Sequence, residues 1–189
     1  MLNHYYYTVS SLPMLAYDTE KFMSEEEFLD CCESTVSPQD YRLLKSVSLV
    51  PSSLEETINP VLDKWNSWER SLRNDLVKMR ASRKGVDGDK YVASGTIETG
   101  LQNIARDAFS AATPLEAEII LDRARWDYLE NLEAGHYFDL GKLIIYFLQL
   151  QLMKRKSLIV KEKGKSKFEE IYAAITGRTV LKEKENVLT

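Results

Sequence analysis

Apolar residues recur along most of this chain at intervals of three and four, the spacing that lines one face of an α-helix, while the alternation of a half-buried strand is scarce. Ser24 and Glu27 form a capping-box pattern ahead of Phe28 and Leu29, which predicts a helix to about Glu33. Ser37 and Pro38 place a cap before a first-turn proline, and Tyr41, Leu44 and Val47 follow at helical spacing. Asn59 and Pro60 repeat that arrangement and open the longest pattern. Val61, Leu62, Trp65, Trp68, Leu72, Leu76 and Met79 make one stripe of roughly 30 Å that ends before Gly85.

Val86 to Thr96 holds Gly88 and Gly95 among polar residues, so a lobe division is placed in the loop 83–96. Ile97, Leu101, Ile104, Ala105 and Ala108 mark the next helix. Thr113, Pro114 and Glu116 then form the clearest cap in the chain, opening a helix whose Leu115, Ile119, Asp122, Trp126 and Leu129 share a face and which Gly135 closes. Asp139 caps a helix that is apolar over a wide arc, from Leu140 and Leu143 to Leu150, and is therefore expected to be the most buried element. Gly164 is a stop signal. A last helix is expected over Lys165 to Ile175, before a charged tail that begins after Gly177. Tyr5 to Ser11 and Val47 to Val50 have strand-like composition, too little for a sheet. The expectation is an all-α protein, an elongated bundle of about six to eight helices forming one helical domain over residues 1–189.

Composition narrows the function. With 44% hydrophobic residues over 189 positions, the chain can bury one substantial core. The net charge of −4 has the wrong sign for a general nucleic-acid binder, so DNA and RNA are not expected partners. The charge is polarised: from Lys154 onward there are 10 Lys and Arg against 5 Asp and Glu, which leaves 15 against 24 before it. Lys154, Arg155 and Lys156 open this basic end and are candidate docking residues for an acidic surface. The longest apolar stretch, Leu143 to Met153, contains Gln149 and Gln151 and falls short of the roughly twenty residues a membrane span needs. With no basic leader ahead of Tyr5, Tyr6 and Tyr7, a cytoplasmic protein is expected.

Catalytic patterns are sparse. Gly85, Gly88, Gly95 and Gly100 do not form a phosphate loop. Cys31 and Cys32 project about 100° apart on a helix, which suits packing rather than shared metal ligation. A base for nucleophilic catalysis would have to be His4 or His136. Glu133 and His136 have the ExxH spacing with which helical di-iron proteins present two ligands, but a second copy is missing and Gly135 interrupts the helix between them. Glu118 and Asp122, four apart, read as a surface pair. No cofactor, metal or catalytic residue is assigned. Trp65 and Trp68 are weighed as core residues or as anchors for a partner helix, because tryptophan is enriched at interface hot spots.

Two segments carry a likeness to a known family. Tyr5-Tyr6-Tyr7-Thr8-Val9-Ser10-Ser11-Leu12-Pro13-Met14-Leu15, and the run from Phe138-Asp139-Leu140-Gly141-Lys142 to Gln149-Leu150, followed by Gly164 and Phe168-Glu169-Glu170-Ile171, resemble an uncharacterised bacterial family encoded among V-type ATPase genes. In those clusters the family occupies the place of the all-helical socket that joins the central stalk to the membrane rotor ring. The resemblance implies a non-catalytic subunit or assembly protein that contacts V-type ATPase subunits at the cytoplasmic face of the inner membrane. The other reading of the same residues is a free-standing helical adaptor or regulator.

Overall fold

The computed structural model describes residues 4–51, 59–94, 98–159 and 172. Among them are seven α-helices and no strand: α1 (Tyr6–Ser11), α2 (Glu25–Glu33), α3 (Pro38–Ser46), α4 (Pro60–Lys84), α5 (Gln102–Ser110), α6 (Pro114–Leu132) and α7 (Leu140–Leu158), with a single 3-10 turn at Gly88–Tyr91. The protein is all-α, as the spacing of its apolar residues predicts.

The caps explain where helices begin. Ser24 Oγ accepts from the Glu27 amide at 3.1 Å, and the Glu27 carboxylate accepts from the Ser24 amide at 2.7 Å, a complete capping box for α2. Ser37 accepts from Asp40, Asn59 from Val61 and Thr113 from Glu116, each just ahead of a first-turn proline. Asp139 Oδ1 accepts from the Lys142 amide at 3.0 Å and so caps α7. At the other end of α4, Gly85 takes φ +67°, a left-handed conformation that terminates the helix without a Cβ penalty.

Contacts divide the chain into two compact units, Met1–Lys154 and Arg155–Thr189. The connection 83–96 lies inside the first. Its described part is held to α4: the Asn74 side-chain amide donates to the Ala93 carbonyl and accepts from the Ala93 amide, both at 2.9 Å. In the second unit, Arg155 to Leu158 are helical and Tyr172 is helical and exposed. The rest of the helix expected over Lys165 to Ile175, its stop at Gly164, the charged tail and Ile97 lie outside the described residues.

α7 forms the centre of the first unit. Every residue from Leu143 to Leu150 is buried, as are Leu152 and Met153. Phe28 of α2 stacks on Tyr146 and Phe147, with ring centroids 5.5 and 5.1 Å away. The strand-like segments take other conformations. Tyr6–Ser11 is helical, and two backbone groups after α3 are satisfied by one side chain, since Gln151 donates to the Val47 carbonyl at 2.9 Å and accepts from the Leu49 amide at 3.0 Å.

A cluster of charge is buried between α4 and α6. Arg125 donates through Nε and Nη2 to the two carboxylate oxygens of Glu69, both at 2.9 Å, and through Nη1 to Asp122 at 2.8 Å. Arg73 completes the set at 2.7 Å from Glu69. Arg125, Glu69 and Asp122 are buried and half-exposed Arg73 supplies the second cation, so every buried charge of the set is hydrogen-bonded. Burial pulls the Arg125 pKa down, but the hydrogen bonds and charges of Glu69 and Asp122 outweigh it and hold the guanidinium above its ordinary value. Asp122 is therefore not the surface residue its spacing from Glu118 suggested; it is 3% exposed and faces inward with the apolar stripe of α6.

Candidate functional site

The tryptophans considered as partner anchors are core residues in the folded chain. Trp65 is 0% and Trp68 4% exposed, because both lie on the face of α4 that packs against the rest of the helical unit. Their rings lie 5.8 Å apart, and Trp68 stacks on Tyr128 of α6 at 4.5 Å with planes 12° apart. Burial and the nearby Glu98 carboxylate push the Tyr128 hydroxyl up to about 12. The candidate basic residues are placed elsewhere: Lys154 is ion-paired with Glu25 of α2 at 3.1 Å, while Arg155 and Lys156 belong to the second unit.

Glu133 and His136 are engaged separately. Lys142 binds the Glu133 carboxylate, and His136 Nδ1 lies 2.6 Å from Asp139 Oδ2. Gly135, at φ +90°, turns the chain between them and breaks the helical register that ExxH ligation requires. Among the described residues no group of three or more His, Cys, Asp or Glu side chains converges as a metal site would need. His136 instead lies against the start of α7: a Cβ on Gly141 would come 2.5 Å from His136 Nδ1 and 2.9 Å from Val61 Cγ2. Glycine allows this close approach.

Two surface features of the first unit have the form of docking sites. One is a groove of about 540 Å³ along α6. Trp68 forms part of its floor, with Ile104 from α5 and Ile120, Ala124 and Tyr128 from α6, and half-exposed Ile119 stands at its lip. Asp107, Arg123, Asp127 and Asn131 supply its polar edge. Arg123 pairs with Asp127 at 3.0 Å and lies over the Tyr17 ring, 5.0 Å from the centroid.

The second is a cleft of about 330 Å³ between the N-terminal segment and the α6–α7 junction. Val9, Leu12 and Met14 line one side, and Glu130, Lys142, Tyr146 and Gln149 the other. Tyr146 donates to the Pro13 carbonyl at 2.9 Å, and the Tyr5 amide donates to the Phe138 carbonyl. The Tyr6 and Phe138 rings lie 4.7 Å apart. Burial, and then the Cys31 thiol nearby, push the Tyr146 hydroxyl up to about 12. Met14 is 91% exposed beside this cleft.

Residues 99–179 match a family model described as a protein of unknown function, DUF2764. The DUF2764 match begins just ahead of α5 and takes in α6 and α7, so most of the groove lining and one wall of the cleft lie within it. Trp68 and the N-terminal segment lie outside. No curated protein and no solved structure matches the chain.

Sequence reasoning missed the groove and the buried charge cluster. Signals for both were present. Ile119, placed on one face with Trp126 and Leu129, is half-exposed at the groove lip, and Glu69 falls on the same apolar stripe as Trp65 and Leu72, four residues after one and three before the other.

Proposed function

We propose that this protein is a non-catalytic connector or assembly protein of a V-type, ion-translocating ATPase, similar to the helical socket that docks the central stalk to the membrane rotor. The observation that carries this reading is the meeting of the two segments on which the resemblance rests. Tyr5 to Leu15 and Phe138 to Leu150 are more than a hundred residues apart in sequence. They are joined through Tyr5 with Phe138, Tyr6 with Phe138 and Tyr146 with Pro13, and they frame one cleft. Residues that would otherwise be scattered thus form one surface, as a docking face requires.

The chemistry of the chain suits such a role. Capped helices and a hydrogen-bonded ion cluster between α4 and α6 make a firm body, and the polar groups of the cleft are engaged with their neighbours: Glu133 with Lys142, and Glu130 with the Trp126 indole N–H. No helix among the described residues is long and apolar enough to cross a membrane, so attachment at the cytoplasmic face would run through protein contacts.

The test is recovery of the tagged full-length protein from its own cells, with mass spectrometry of what stays bound through a moderate salt wash. Stalk and ring subunits are expected. Their absence from cells that express the ATPase, with other proteins recovered in stoichiometric amount, would favour the free-standing adaptor.

A further inference from the structure

The groove along α6 is a separate surface, and we infer that it receives an amphipathic, basic α-helix from a partner protein. Its lining residues on α6 run from Ile119 to Asn131 in two adjacent rows at intervals of four. This stretch spans roughly 18 Å, about three turns of an incoming helix laid alongside. The floor is apolar, and the half-buried ring of Tyr128 within it is held in place by its stack on buried Trp68. Helix-in-groove recognition uses apolar residues of the partner at i, i+3 or i+4 and i+7 against such a floor.

The charge at the edge selects the sign of the partner. Arg123 is committed to Asp127 and to the Tyr17 ring, which leaves the Asp107 carboxylate to set the charge of the opposite lip. The unit that carries the groove is acidic as a whole, with 16 Lys and Arg against 24 Asp and Glu over residues 1–154. A lysine or arginine on the flank of the incoming helix would meet Asp107, and the surrounding field would favour its approach. The inference concerns a different face from the cleft between the N-terminal segment and α7 and does not rest on the ATPase reading.

The experiment uses the full chain and two fluorescein-labelled 15-residue probe peptides with the same leucine spacing, one with lysine and one with glutamate on the polar face, read by anisotropy. The lysine peptide is expected to bind about tenfold tighter or better than its twin. Ile119→Asp, at a half-exposed position, should weaken the lysine peptide about tenfold with an unchanged melting temperature, although it adds negative charge. Asp107→Lys should weaken it severalfold, whereas Glu26→Lys, the same charge change on α2, should leave it unaltered. Equal binding of the two peptides, full binding by Ile119→Asp, or an effect of Glu26→Lys equal to that of Asp107→Lys would overturn the inference. Each outcome is independent of whether ATPase subunits are recovered from cells.

Discussion

Arg125 meets Glu69 edge to edge, with Nε and Nη2 each 2.9 Å from a carboxylate oxygen, across the interface between α4 and α6 and with neither side chain more than 5% exposed. A fork this well paired fixes the register of the two helices. The stability it confers depends on its being complete, because desolvation of both ions opposes their attraction. Arg125→Met leaves Glu69 and Asp122 buried without their main partner and is expected to cost about 3–5 kcal/mol. The combination Glu69→Met, Asp122→Val and Arg125→Met removes the buried charges together and is expected to unfold within about 1 kcal/mol of the parent in urea. A triple variant as unstable as the single one would show that the cluster contributes net stability.

Gly141 is required by a neighbour rather than by its own backbone. Alanine there would thrust a methyl group to 2.5 Å from His136 Nδ1, and the ring cannot swing freely while Nδ1 is held by Asp139. Overpacking of this kind costs about 1–3 kcal/mol, against about 1 kcal/mol recovered from the helix preference of alanine. Gly141→Ala should therefore lower the melting temperature, and by less in a His136→Ala background. Equal losses in both backgrounds would place the strain at Val61 instead.

Much of the fold was legible because its signals are local. Ser24, Ser37, Asn59, Thr113 and Asp139 each cap the helix their spacing announced, and Gly85 ends α4 where its lack of a side chain permits. The candidate sites were less legible, since exposure depends on which faces other helices cover. Trp65 and Trp68 fit either role, anchor or core, on an isolated α4; the packing of α6 decides between them. Glu69 and Arg125, 56 residues apart, could not be paired from spacing. The packing carries its own test. Trp65→Ala and Trp68→Ala should each cost about 3–5 kcal/mol in denaturant, the loss expected for core truncation. An unchanged stability would return them to the surface.

Alkaline pH should unfold this protein through its buried phenols. Burial holds Tyr128 and Tyr146 up to about 12, above the ordinary 10.0, so the folded chain retains protons that the unfolded chain releases. Their contribution is complete below pH 10 and is lost as pH rises toward 12. The melting temperature should fall across that window, and tyrosinate absorbance should show a late-titrating class that disappears when the protein is unfolded in urea. A single early titration would contradict the burial of these rings.

The connector reading is tested most directly by placing a photo-cross-linking amino acid at Met14, 91% exposed beside the cleft formed by the N-terminal segment and α7, and irradiating intact cells that express the ATPase. The expected product joins this protein to a stalk or ring subunit, and disappears when the cross-linker is moved to exposed Tyr91, which lies outside that cleft. Strong cross-links to proteins that are not ATPase subunits, with none to the stalk or ring, would contradict it.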